Sequence, residues 1–133
     1  MSIQLRIGDN LEPLLLHSIG ADQVKRYAEA ARDRNPIHLS SAAAEAAGLD
    51  GPVVHGMLIM GQFERLLRGW QPDCTIATLT TQFLRPMPVG DSLEVGARIV
   101  SIASQQSCTL RLTARNSAGQ LIAIGEATVG FVL

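Results

Sequence analysis

Cysteine is scarce in this sequence, with only two among 133 residues. Cys74 and Cys108 form neither a CxxC pair nor a Cys/His spacing typical of metal ligands, so the sequence predicts no disulfide framework and no metal site. The first residues also lack the long apolar run of a secretory signal peptide. These absences together predict a reduced, cytoplasmic protein.

An excess of charge of either sign is missing as well. Eleven basic and twelve acidic residues are scattered along the chain and give a formal net charge of −1. Such a balance disfavours a nucleic-acid partner and an acidic tail. No apolar run approaches the roughly 18 to 20 residues that a transmembrane helix needs. The best candidate, residues 56–63, is interrupted by Gly61 and Gln62, so a membrane partner is not predicted either.

The composition fits a single domain over residues 1–133, because 47% hydrophobic content in a chain of this length supports one ordinary core. A helix is predicted over residues 21–32, where apolar side chains recur at helical spacing between charged ones. A shorter helix is predicted over residues 41–47, since alanines favour it and Gly48 supplies a left-handed stop. Strand-like patterns dominate the second half, and this order indicates an α+β fold.

A third helix is predicted from Gly56, and it is apolar around almost its whole circumference as far as Phe63. Such a helix has to be enclosed by other elements. Two later segments alternate apolar with polar residues, as half-buried antiparallel strands do. Their apolar positions are Leu93, Val95, Ala97 and Ile99, then Cys108, Leu110, Leu112 and Ala114. Residues 116–119 indicate a hairpin loop, and residues 121–133 a central strand. We therefore expect a curved antiparallel sheet wrapped around one buried helix.

Candidate catalytic residues cluster directly after the first predicted helix, in residues 33–38. Pro36 has no N–H and disfavours helix for the residue before it, so the chain should turn here. Asp33 and His38 would point apart in a helix and could stand about 16 Å apart in an extended chain, so only a bent loop brings both to one water. Asn35 can fix that loop by bonding nearby backbone. A carboxylate beside an imidazole then supplies acid and base near neutral pH.

The start of the apolar helix is a candidate anion site. His55 and Gly56 open this helix, where unpaired N–H groups coincide with the positive end of the helix dipole. Gly56 has no side chain to block close approach, so its N–H is the predicted donor to an oxyanion. The alternative is that Gly56 only begins a tightly packed helix. His55 is predicted to hydrogen-bond at the helix start rather than react. Met57 is predicted to line the core or an acyl tunnel, with the core favoured.

A family resemblance rests on two segments. Residues 27–44, which contain the string DRNPIH, resemble the hydratase-2 motif of MaoC-like (R)-specific enoyl-CoA hydratases, and residues 51–57, GPVVHGM, resemble a second segment of that family. The chain is also similar to short (3R)-hydroxyacyl-ACP dehydratase subunits. The resemblance implies a hot-dog fold, a dimer and no cofactor. It implies reversible hydration of trans-2-enoyl thioesters to (R)-3-hydroxyacyl thioesters of coenzyme A or acyl carrier protein, with Asp33 and His38 holding the reacting water.

Other readings of the sequence stay open. Arg32 stands where this family often has a glycine before the motif's aspartate. A thioesterase could share the fold, since fold does not settle function. It would need a carboxylate near the start of the central helix, and Glu64 lies two turns too far along. A non-catalytic acyl-thioester-binding subunit is the third reading, and the intact Asp33 and His38 oppose it. A homodimer is predicted, because one sheet has exposed edges and covers an apolar helix on only one side, while a heterodimer with a related chain stays open.

Overall fold

The computed structural model describes residues 4–132. In that part of the chain the helices are α1 (Ala21–Ala31), α2 (Ser41–Ala46) and α3 (Gly56–Trp70), with a single 3-10 turn at Pro36–His38 between α1 and α2. The strands are β1 (Leu14–Leu16), β2 (Thr75–Phe83), β3 (Leu93–Ser104), β4 (Ser107–Arg115) and β5 (Leu121–Gly130). Helices dominate the first half and strands the second, so the predicted α+β class is confirmed.

The five strands form one antiparallel sheet in the order β1-β3-β4-β5-β2. Strand β5 lies between β4 and β2, which confirms the predicted central strand; Leu133 lies outside the described residues. The predicted hairpin loop is also confirmed, because the Asn116 side chain accepts hydrogen bonds from the Ala118 and Gln120 N–H groups and Gly119 adopts a φ of +77°. Strands β1 and β2 are the edges of the sheet.

The core lies between α3 and one face of the sheet. All eight apolar positions predicted for the two alternating strands are buried. The helix contributes a face of six buried side chains, which are Leu58, Ile59, Gln62, Phe63, Leu66 and Leu67. The sheet around a central helix is therefore confirmed. This burial excludes apolar surface from water and supplies the main driving force for the fold.

The opposite face of α3 is open in the single chain. Met57 is 60% exposed, so the favoured interpretation of Met57 as a core residue is wrong. The reason is geometric, because Leu58, Ile59 and Phe63 turn toward the sheet and Met57 then lies on the far side of the helix. Within residues 4–132 no helix, α3 included, is long and apolar enough to cross a membrane.

The two short helices confirm their predictions and set up the loop between them. Helix α1 ends where Arg32 turns into the left-handed region, with φ +56° and ψ +34°. Helix α2 begins after Ser40, whose side chain accepts a hydrogen bond from the Ala43 N–H. Gly48 follows α2 with a φ of +85°, as the stop signal predicted. The intervening residues are therefore fixed at both ends by helix termini.

Candidate functional site

The loop after α1 bends because its backbone is tied at successive residues. The Asp33 N–H donates back to Ala28 O at 3.0 Å and closes the left-handed end of the helix. The Asn35 side chain accepts from the Ile37 N–H at 3.2 Å, and Pro36 occupies the first position of the 3-10 turn that follows. Asn35 and Pro36 thus shape the turn that carries His38 back toward Asp33.

This turn brings Asp33, His38 and His55 together. A carboxylate oxygen of Asp33, a ring nitrogen of His38 and a ring nitrogen of His55 lie within 4.8 Å of one another. Two groups at that separation can both hydrogen-bond one water molecule, since each such bond spans about 2.7 to 3.0 Å. Asp33 is exposed, His38 is half-buried and His55 is buried. The site therefore opens to solvent on the Asp33 side and is closed on the His55 side.

The hydrogen bonds fix which nitrogen of His38 is free. Its Nδ1 lies 2.7 Å from Val53 O, and because a carbonyl oxygen only accepts, Nδ1 carries the proton in this bond. In the neutral ring Nε2 then has a free lone pair, which is the state that a general base needs. Val53 was not singled out from the sequence, because a backbone carbonyl acts without regard to its side chain.

His55 lies at the N-cap of α3 and faces the loop after α1. Its Nε2 is 2.9 Å from Asp33 O, so Nε2–H donates to that carbonyl. The His55 ring stacks on the His38 ring, with centroids 3.8 Å apart and planes inclined by 23°. The edge-to-face partner of His55 is Tyr27, at 4.8 Å. Tyr27 was missed as a site residue, although it recurs on the apolar side of α1 with Ala28.

Asp33, His38 and His55 are residue types that also bind metals. The stacking argues against a shared ion, because imidazole lone pairs lie in the ring planes and two nearly parallel planes direct them side by side. The arrangement suits proton transfer to and from a held water better than metal coordination.

Gly56 begins α3, and as the first helical residue it has no intrahelical partner for its N–H. An ideal Cβ built on Gly56 would lie 3.1 Å from the Phe83 ring, so a side chain there would be crowded. Phe83 and Gly56 help to line an open cavity of about 290 Å³ with Val54, Ile59 and Met87. This cavity, which Arg85 also borders, lies beside an unpaired N–H and could hold an acyl chain with its carbonyl at Gly56.

Arg34, which follows Asp33 in the chain, pairs with a residue of α1 and not with the Asp33 carboxylate. Arg34 forms a two-point ion pair with Glu29, with Nη2 to Oε2 at 2.8 Å and Nε to Oε1 at 3.3 Å. This pairing lowers the pKa of Glu29 and raises that of Arg34. Both side chains are largely exposed, so the pair adds little stability. Arg34 is therefore held against Glu29, on the surface of α1.

The chain is similar to known proteins over most of its length. The model of the MaoC like domain matches residues 3–119. The (R)-specific enoyl-CoA hydratase of Aeromonas caviae is 31% identical over 113 residues, which are 83% of this chain and 84% of that protein. A mitochondrial 3-hydroxyacyl-[acyl-carrier-protein] dehydratase of Arabidopsis thaliana is 32% identical over 89 residues, or 67% of this chain. The match spans about half, 52%, of that plant protein's length.

A solved structure gives the same answer for the whole fold. The (R)-hydratase of A. caviae involved in PHA biosynthesis superposes with a TM-score of 0.88 at 28% identity, covering 96% of this chain and 98% of that one. The sheet and its central helix therefore define a hot-dog domain. Within that class, the chain belongs to the family of MaoC-like domains.

Proposed function

We propose that this chain catalyses the reversible hydration of trans-2-enoyl thioesters to (R)-3-hydroxyacyl thioesters, with coenzyme A or acyl carrier protein as the acyl carrier. The observation that carries the proposal is the separation of the Asp33 carboxylate and the His38 ring, which suits a single bridging water. The named activities of the A. caviae and A. thaliana relatives support it. No step requires a cofactor.

The chemistry follows from the free atoms of the pair. In hydration the water oxygen bonds to Cβ of the enoyl group, one water proton leaves to a base, and a proton is delivered to Cα. The His38 Nε2 lone pair and the Asp33 carboxylate are the two proton carriers at that water. Dehydration reverses each transfer, so the same two groups serve both directions.

Charge develops on the thioester oxygen while Cβ is attacked. The Gly56 N–H at the positive end of the α3 dipole is the donor proposed to stabilise this oxyanion. The adjoining cavity, with Phe83 and Ile59 in its wall, would receive the acyl chain. Donor and cavity lie at one end of the same helix, so a thioester seated there reaches both.

The test uses crotonyl-CoA and the substitutions Asp33→Asn and His38→Gln. Each keeps the side-chain shape and a hydrogen-bonding group while it removes the proton acceptor, so each should lower turnover by about 10²- to 10⁴-fold. If the two groups hold one water, the double variant should lose far less than the product of the single losses. Loss of enoyl absorbance measures hydration.

The matched controls are Asp73→Asn and His17→Gln, because both side chains are exposed and lie outside the site. They should retain the wild-type rate. A folded Asp33→Asn variant that hydrates crotonyl-CoA at a near-normal rate would remove Asp33 from the mechanism. Release of free thiol without loss of the enoyl group would instead identify a thioesterase. If neither enoyl loss nor thiol release were observed, an acyl-binding subunit would be the favoured interpretation.

The stereochemistry has its own test. We expect the product to be the (R)-3-hydroxyacyl thioester, as in the name of the A. caviae relative. An (S)-specific 3-hydroxyacyl-CoA dehydrogenase added to the reaction should then reduce no NAD⁺. Efficient oxidation by that enzyme would contradict the proposed (R) configuration while leaving the hydration itself in place.

A further inference from the structure

His55 is a polar side chain that is almost completely buried at the candidate site. It is 1% exposed, and its Nδ1 is among the few buried side-chain atoms of residues 4–132 that lack a hydrogen-bond partner. A buried imidazole with one unpaired nitrogen costs stability relative to an apolar residue of similar size. We therefore look for the role of His55 in its other nitrogen, Nε2, which donates a hydrogen bond to Asp33 O.

The bond from His55 acts on the backbone of Asp33 and not on its carboxylate. The donor is a rigid ring fixed at the start of α3, and the acceptor lies on the loop that follows α1. Asp33 itself is exposed, and its carboxylate is contacted by its own loop, where the Asn35 N–H donates to Oδ1 at 3.4 Å. The hydrogen bond from His55 thus joins the Asp33 backbone to a distant part of the chain and fixes the backbone position from which the Asp33 carboxylate extends.

A second bond runs between the same two segments in the opposite direction. His38 Nδ1–H donates to Val53 O, two residues before His55, while His55 Nε2–H donates to Asp33 O. The stacked His38 and His55 rings lie between these two bonds, 3.8 Å apart. Each histidine therefore holds the segment that carries the other, and together they fix both members of the proposed acid/base pair.

We propose that His55 is a positioning residue for hydration: it does not touch the substrate, and its Nε2–H holds the Asp33 backbone so that the carboxylate and His38 share one water. This inference rests on the proposed function. A displacement of about 1 Å in a reacting group can cost about 100-fold in rate, so loss of the donor should lower kcat rather than raise KM.

The test compares His55→Gln with His55→Met. The two side chains are similar in length and both lack the ring, but only glutamine can donate a hydrogen bond to Asp33 O. With crotonyl-CoA, His55→Met should lose about 10- to 100-fold in kcat with KM changed by less than about twofold. His55→Gln should recover most of that loss. A purely structural role would instead move both variants together.

Two additional measurements keep the outcome decisive. His55→Phe keeps a ring against His38 but lacks the donor, so it should resemble His55→Met; a near wild-type kcat in folded His55→Phe would overturn the proposal. The carbon-13 shift of the Asp33 carbonyl needs no activity, and it should be similar in the wild type and in His55→Gln but move upfield in His55→Met, because that carbonyl then loses its hydrogen-bond donor. Equal kcat losses in all three variants with the Asp33 carbonyl shift unchanged would also overturn it. An inactive wild type with these spectral changes would refute hydration alone.

Discussion

At the scale of single residues, Arg32 has the backbone conformation least suited to its side chain. Its φ of +56° is the only positive value at a residue other than glycine in residues 4–132. The left-handed region costs an L residue with a Cβ roughly 1 to 2 kcal/mol relative to the right-handed one. Glycine, which has no Cβ, avoids that cost.

We therefore expect Arg32→Gly to raise the free energy of unfolding by about 0.5 to 1 kcal/mol and to retain hydration activity. Arg26→Gly is the matched control, because Arg26 is exposed in the interior of α1, where glycine should lower stability by about 1 kcal/mol. Urea unfolding of both variants measures the difference. If Arg32→Gly lost as much stability as Arg26→Gly, the helix end would not carry the inferred strain.

A second residue-scale prediction concerns Cys108, a buried residue of β4. Burial raises the pKa of this thiol from 9.0 to about 11. The unfolded chain releases the thiol proton first, so stability from this group is complete below about pH 9 and is lost as the pH rises toward about 11. The thermal midpoint of the wild type should fall faster over this interval than that of Cys108→Ala. Parallel curves would contradict the assignment.

At the scale of elements, the strands that could be predicted from the sequence are those in which apolar and polar residues alternate without a break. Strands β3 and β4 alternate without interruption over their buried positions, and each was predicted. Strand β2 was missed, because an irregularity in its pairing with β5 between Ile76 and Thr78 shifts the apolar positions from alternation to a spacing of three, at Ile76 and Leu79.

The candidate site divides in the same way. The bend that joins Asp33 to His38 could be predicted because proline and asparagine leave local signatures in the sequence. The contacts of Val53 and Tyr27 with the two histidines could not, since they join segments distant along the chain. One acts through a carbonyl and the other through a ring edge, and neither leaves a sequence pattern.

Helix α3 gives a test of its own N-terminus. A Gly56→Pro substitution removes the N–H, yet proline is favoured at the first position of a helix and His55 already has the extended ψ of 134° that precedes proline readily. Because the Phe83 ring crowds any Cβ at Gly56, both Gly56→Pro and its control Gly56→Ala belong in a Phe83→Ala background. The proline variant should be about 10²- to 10³-fold slower than the alanine variant. Equal rates would favour the alternative that Gly56 only permits close packing.

At the scale of the whole molecule, an open sheet edge and an exposed apolar surface next to it are both suited to contact with a second chain. Strand β2 is a nine-residue edge with unpaired backbone groups along one side. Beside its end, Met57, Phe83 and Leu84 are 60%, 46% and 43% exposed, and the Phe83 ring borders Gly56. A homodimer that joins two β2 edges would cover both the strand and this apolar surface.

We expect light scattering to show a dimer at micromolar concentration, and Met57→Lys to shift it toward monomer. Ile7→Lys is the control, because Ile7 is 68% exposed but lies by the opposite edge of the sheet, next to β3. A dimer unaffected by Met57→Lys would place the interface elsewhere. A fully active wild-type monomer would contradict the dimer, and a requirement for a related chain would make it a heterodimer.

The crossed hydrogen bonds of His38 and His55 bear on how the folded chain opens. Each of the two bonds joins the loop after α1 to the segment before α3. If either segment moves away from the other, both hydrogen bonds break. The Val53 N–H adds a third link, to Ile37 O at 3.1 Å. We therefore expect the two segments to open together, so that the amides protected in both share a single opening free energy in hydrogen exchange. A substitution of His38 or of His55 should then speed amide exchange in the segment that carries the other histidine.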